Sequence, residues 1–113
     1  FSNCSALTVL LLPDGLTTIE KCAFSDCSSL KDLFFPASLT NIGSNAFSNC
    51  IKLVNLEYLG KTNSLSNCSP FSSSSYPTNL YLPEVEESGK TNFTNFLGKN
   101  WNGHIYAKKH IPS

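Results

Sequence analysis

The residues that could carry chemistry in this chain are five Cys, two His, one cluster of Glu and two Gly-Lys-Thr tripeptides. His104 and His110 are the only side chains whose ordinary pKa suits general-base work near neutral pH. No motif places a Ser or Cys nucleophile beside either, and the Gly-x-Ser-x-Gly turn that exposes a hydrolase serine is missing. Gly60-Lys61-Thr62 and Gly89-Lys90-Thr91 look like the ends of a phosphate-binding loop. Such a loop needs a glycine five residues earlier, where this chain has Asn55 and Glu84. Glu84, Glu86 and Glu87 read as a solvated loop rather than a calcium site. The cysteines show no paired Cys-x-x-Cys spacing and both His lie far away in the tail, which argues against zinc. No catalytic residue, metal site or cofactor is expected, so the chain reads as a non-enzyme.

Composition narrows the remaining classes. Charged residues are only 14% of 113, and eight Lys balance eight Asp plus Glu. With no Arg and no net charge, the basic footprint of a nucleic-acid binder is absent. No run approaches 18 apolar residues, so no membrane insertion is expected. The polarity is uncharged instead, with 17 Ser, 8 Thr and 12 Asn. Fifteen Leu and 13 aromatics can still build a core.

The elements that must position these residues emerge from a repeat. Phe1-Ser-Asn-Cys4, Phe24-Ser-Asp-Cys27 and Phe47-Ser-Asn-Cys50 recur at a step of 23. Leu7, Leu30 and Leu53 keep that step, as do Leu10, Leu33 and Leu56, and Pro13 and Pro36, Leu16 and Leu39, Ile19 and Ile42, and Ala23 and Ala46. Residues 60–83 keep Leu65, Cys68, Phe71 and Leu80-Tyr81-Leu82-Pro83, so they form a degenerate unit with about one inserted residue. Residues 84–113, with Phe93, Phe96, Leu97, Trp101 and Ile105-Tyr106-Ala107, read as a capping unit that closes the core. The predicted domains are thus 1–83, repeats, and 84–113, cap.

Within each unit Leu-x-x-Leu-x-Leu marks a short strand whose second and third apolar positions point inward. The following Leu39-x-x-Ile42-x-x-x-Ala46-Phe47 has spacings of three and four, which suits a helical or 3₁₀ turn. One unit cannot bury its own apolar side, so neighbours stack into a parallel-strand solenoid. The unit Leu-Pro-x-x-Leu-Thr-x-Ile-x-x-x-Ala-Phe-Ser-x-Cys-x-x-Leu resembles the leucine-rich repeats of the BspA or Treponema type, closely over residues 1–59 and loosely over 60–83. The resemblance implies an α/β solenoid: a horseshoe arc of short parallel strands with helical or 3₁₀ turns on its convex side. Such repeats occur on surface proteins of oral and gut bacteria and in protozoan parasites such as Trichomonas. It also implies adhesion or host-protein binding at a cell surface or outside the cell, although a cytoplasmic array suits reduced cysteines equally well.

Cys4, Cys27 and Cys50 fill one column, where small apolar side chains pack on their copies. Cys22 and Cys68 share another column two units apart, about 10 Å at the inter-strand step, too far to bridge. Buried thiols are expected, with a Cys22 to Cys27 bridge left open. Sequons at Asn3, Asn67 and Asn92 are as many as chance provides and carry no inference about secretion.

A ligand would sit on the outward strand positions, which line the concave face of a curved solenoid. One predicted row is Leu11, Phe34, Glu57, Tyr81 and Tyr106. Beside it run Val9, Asp32, Asn55, Asn79 and His104, and then Thr8, Lys31, Val54 and Thr78. Four members of the first row are large and apolar or aromatic, the kind enriched where proteins or sugars are gripped. The expected ligand residues are Leu11, Phe34, Glu57, Tyr81, Tyr106, Asp32, Asn55, Asn79 and His104, facing a protein or glycan partner. The alternative is a purely structural array that caps a longer repeat protein. Phe1 enters in the middle of a unit, so upstream repeats, or self-association through an open N-terminal end, are expected.

Overall fold

In the computed structural model, residues 5–65, 68–71, 77–101 and 103–112 are described. The Phe1 to Cys4 motif with its sequon, and Asn67 of the second sequon, lie outside them.

The repeated Leu-x-Leu pattern forms strands β1 (Val9–Leu11), β3 (Asp32–Phe35), β5 (Asn55–Tyr58), β6 (Asn79–Leu82) and β7 (Ile105–Ala107). They make one parallel sheet in the order β1-β3-β5-β6-β7. Register follows the repeat. Leu10 faces Leu33, Leu33 faces Leu56, Leu56 faces Leu80 and Leu80 faces Ile105. The step is therefore 23 residues twice, then 24, then 25. A parallel pair needs such a long crossover, and each unit supplies it.

The inward side chains carry the core. Leu33, Phe35, Leu56, Leu80 and Leu82 have no exposed surface, and Tyr58 is nearly as buried. Opposite them the repeated Phe column stacks: Phe24 lies on Phe47 at 5.3 Å between centroids with planes 7° apart, and Phe47 meets Phe35 at 5.8 Å and Phe71 at 6.0 Å. Each buried Phe or Leu contributes roughly 1.5–3 kcal/mol by leaving water. At the far end Trp101, Phe93, Phe96 and Leu97 are buried, and Phe96 packs on Tyr58 at 5.2 Å. The Trp101 indole N–H donates to the Phe96 carbonyl at 3.0 Å, so its one polar atom is satisfied in the core.

The side opposite the sheet differs from the helical expectation. Among the described residues it holds two short strands, β2 (Thr18–Ile19) and β4 (Asn41–Ile42), paired in parallel, followed by tight turns. The 3₁₀ segments Glu87–Phe93 and Phe96–Gly98 lie between β6 and β7. The reason is where the amides go. Ala23 and Ser25 donate back three residues, to Glu20 and Cys22, whereas Cys22, Phe24 and Asp26 donate across to Ser44, Ala46 and Ser48 of the next unit. Cys22, Asp26, Asn45 and Asn49 all have φ near +60°, which breaks a helix at each turn. Asn and Asp reach that region at the least cost after Gly.

The cysteines divide. Cys27 and Cys50 are fully buried, Cys68 is half-buried and Cys22 is exposed. All four are thiols, so Cys22 and Cys27 are not bridged. Cys22 corrects the expectation of buried thiols: as the left-handed residue of an outer turn, it points away from the core.

Candidate functional site

The strands that carry the outward positions pair through their backbones, so the register sets which side chains stand beside one another. The first row is in register: Leu11 beside Phe34, Phe34 beside Glu57, Glu57 beside Tyr81, Tyr81 beside Tyr106. Leu11 on the edge strand is 74% exposed, and Phe34, Tyr81 and Tyr106 are half-buried. The two Tyr rings stack at 5.0 Å. Burial pushes the Tyr81 hydroxyl above the ordinary phenol range, with Tyr106 and Asp32 adding to the shift.

The second row is a polar ladder. Asn55 donates its amide to the Asp32 carboxylate at 2.9 Å, and Asn79 donates to the Asn55 side-chain carbonyl at 3.0 Å. The Asn55 amide gives a proton to Asp32 and accepts one from Asn79, which fixes the three side chains in a line. Asp32, Asn55 and Asn79 are half-buried, whereas His104 at the end of the row is exposed.

Glu57 departs from the expectation of an open row. It is 5% exposed and is the buried charged residue among those described. The cover comes from beyond β7. Lys108 donates its backbone N–H to the Leu82 carbonyl at 2.8 Å and has φ near +57°, which turns the chain back. The Ile111 backbone N–H then donates to one Glu57 oxygen at 2.8 Å, and the His110 Nδ1 lies 3.1 Å from the other. Only β6 lies between β7 and β5, so the segment crosses two inter-strand steps, about 10 Å of sheet. Sequence reasoning passed over Lys108, His110 and Ile111 in this role. The signal available was a Lys-Lys-His run that could reach the one carboxylate of the row.

On the β1 side of Glu57 the face stays open. A hollow of about 70 Å³ is lined by Leu11, Asp14, Phe34, Pro36, Glu57 and Leu59, among others. A second, of about 190 Å³, lies in the last unit between Lys90, Thr94, Trp101 and Ile105. Lys99 sits 4.7 Å over the Trp101 ring, and burial pushes its ammonium below the ordinary lysine range. Neither hollow reaches the roughly 300 Å³ at which small-molecule pockets begin. A shallow face of this kind suits a surface contact.

The second Gly-Lys-Thr tripeptide and two members of the Glu cluster take part in ordinary ion pairs. Gly89 and Lys90 lie inside a 3₁₀ segment, with Lys90 paired to Glu87 at 2.8 Å, and Glu86 pairs with Lys108 at 3.1 Å. Such exposed pairs add little stability. Among the described residues no three or more His, Cys, Asp or Glu side chains could hold a metal ion, and no helix is long and apolar enough to cross a membrane.

No curated protein and no solved structure matches the chain. A family model does: that of the BspA type leucine rich repeat region, in six copies over residues 1–102. The chain belongs to the BspA-type leucine-rich repeat family, whose solenoid-like units are typically non-enzymatic modules for protein interaction.

Proposed function

We propose that this BspA-type repeat chain recognises a protein or glycan partner through the outward face of its parallel sheet, in an adhesion role at a cell surface or outside the cell. The observation that carries the reading is the in-register row Leu11, Phe34, Glu57, Tyr81 and Tyr106 beside the hydrogen-bonded ladder Asp32, Asn55 and Asn79. Aromatic rings supply contact area at little entropic cost, and the ladder supplies fixed polar groups beside them. In this reading the strands line the concave face of a horseshoe arc, residues 1–83 present the face and residues 84–113 cap it.

The test is a glycan and protein binding screen with the chain and with its Phe34→Ala/Tyr81→Ala variant. The variant is expected to weaken any specific partner at least tenfold, about 1.4 kcal/mol. Its melting temperature should fall by no more than about 4–8 °C, the equivalent of roughly 1 kcal/mol in a domain of this size. Undiminished binding, or loss of the fold, would remove the face from the assignment.

A second reading rests on β1. This strand is an edge of the sheet, and Val9 and Leu11 on it are 48% and 74% exposed. An apolar, unpaired edge fits the docking of a further repeat or a second copy. Sedimentation of the isolated chain as a concentration-dependent dimer, abolished by Leu11→Lys, would favour this structural role.

A further inference from the structure

We propose that Glu57 is the anchor of a peptide-binding subsite, and that residues 108–112 occupy it in cis as a displaceable pseudo-ligand. The inference rests on the recognition reading above and specifies its partner: an extended polypeptide in which a basic residue precedes an apolar one.

β5 pairs with β3 and β6 through its backbone, so the sheet does not need the Glu57 carboxylate in the middle of a row of Leu, Phe and Tyr to hold its register. Buried there, it must be satisfied by donors. The donors it receives form a recognition pattern: a backbone N–H at 2.8 Å on one oxygen and the preceding residue's imidazole at 3.1 Å on the other. The two donors come from consecutive residues, so the pattern reads main-chain direction as well as side-chain type. Extended peptides are gripped in this way, by main-chain hydrogen bonds with a side chain setting specificity.

The occupying segment is itself lightly held. His110 has a side chain 69% exposed, and the Lys108 to Glu86 pair that tethers the turn is exposed on both sides, at 55% and 70%. Its release uncovers Glu57 next to the hollow lined by Leu11, Asp14 and Phe34, which gives a longer peptide room to continue toward β1. A segment in cis lowers apparent affinity by the fraction of molecules left open.

The experiment uses the full chain and a fluorescein-labelled peptide, Ala-Lys-Lys-His-Ile-Pro-Ser, copied from residues 107–113. The His110→Ala/Ile111→Pro variant removes both donors and releases the segment. Fluorescence polarisation is expected to show the peptide binding this variant at least tenfold more tightly than the parent chain. Adding Glu57→Gln to the variant should weaken that binding at least tenfold. Equal binding to variant and parent, or binding that survives Glu57→Gln, overturns the proposal.

Should the double variant not fold, Glu57→Gln alone is read by amide exchange. Ile111 is expected to lose at least tenfold of its protection while Leu80 keeps its own, and unchanged Ile111 protection overturns the proposal. A partner from the screen that depends on Phe34 and Tyr81, yet binds parent and released chain alike, sinks this inference and leaves the recognition reading standing.

Discussion

Gly43→Ala tests whether the rungs of the turn side are packed backbone to backbone. Gly43 lies outside the positive-φ region, so its conformation is open to any residue. What excludes a side chain is space. A Cβ on Gly43 would stand 2.2 Å from the Lys21 nitrogen and 2.6 Å from the Glu20 carbonyl carbon and the Lys21 Cα. Carbon atoms rest at about 3.5–4.0 Å, so the two units must part by roughly 1 Å. The obstructing atoms are main chain, and no rotamer change relieves the clash. Two bonds straddle the point, Gly43 N–H to the Ile19 carbonyl at 2.7 Å and Cys22 N–H to the Ser44 carbonyl at 3.2 Å. Losing them costs about 1 kcal/mol each, and loosened packing of Ile19 and Ile42 adds about 1 more. The total is about 3 kcal/mol, or a melting point lower by roughly 15 °C.

Gly15→Ala is the matched control. Gly15 has φ +89° but nothing within 4 Å of the added Cβ, so only the left-handed penalty of about 1 kcal/mol applies. Thermal melts by circular dichroism and urea titration rank the two. The expected order is Gly43→Ala well below Gly15→Ala, opposite to a ranking by dihedral angle. If Gly15→Ala proves the more damaging, close approach of the units is not what that glycine serves.

Two further outcomes follow from the core and the ladder. Burial pushes the Cys50 thiol up to about 11, a backbone hydrogen bond from Cys27 pulls the other way, and the charges of Cys27 and Asp26 add to the rise. At pH 8 a thiol reagent should label exposed Cys22 quickly and Cys50 only as fast as the chain opens; equal rates would refute its placement. Because the folded value lies above the ordinary 9.0, the stability contribution is complete below pH 9 and is lost as pH rises toward 11. Urea midpoints should therefore fall over that window, and fall less in Cys50→Ala. Asn55→Ala removes both rungs of the polar ladder and should cost about 1–2 kcal/mol, with a double-mutant cycle against Asp32→Ala showing coupling; additive effects would mean the ladder is not a unit.

The sheet was legible in the sequence because identical columns fix register. With Leu10, Leu33 and Leu56 at one step, a slip by one residue would turn every apolar side chain outward. The turn side was misread because strand-then-turn and helix place Leu39, Ile42 and Ala46 at similar spacings. The better signal was the pair Asn45 and Asn49, four apart and echoed by Asp26, since these types tolerate left-handed backbone. The burial of Glu57 had no columnar signal. Its cover comes from residues 108–112, outside the repeated spacing, and only their basic character pointed toward a carboxylate.

That asymmetry constrains what the outward face can bind. Inward columns such as Leu33, Leu56 and Leu80 are closed to change, since each is fully buried against its copies. The outward row passes from Leu11 to Phe34, Glu57, Tyr81 and Tyr106 with the register intact, so chemical difference between units accumulates there. A partner offering only apolar surface over the centre of the row would strip Glu57 of its two donors and replace neither. Leaving a buried acceptor unmatched costs about 1–3 kcal/mol, and more when it is charged. A partner of this face must therefore either leave residues 108–112 in place and use the open half from Leu11 to Phe34, or bring its own donors to Glu57.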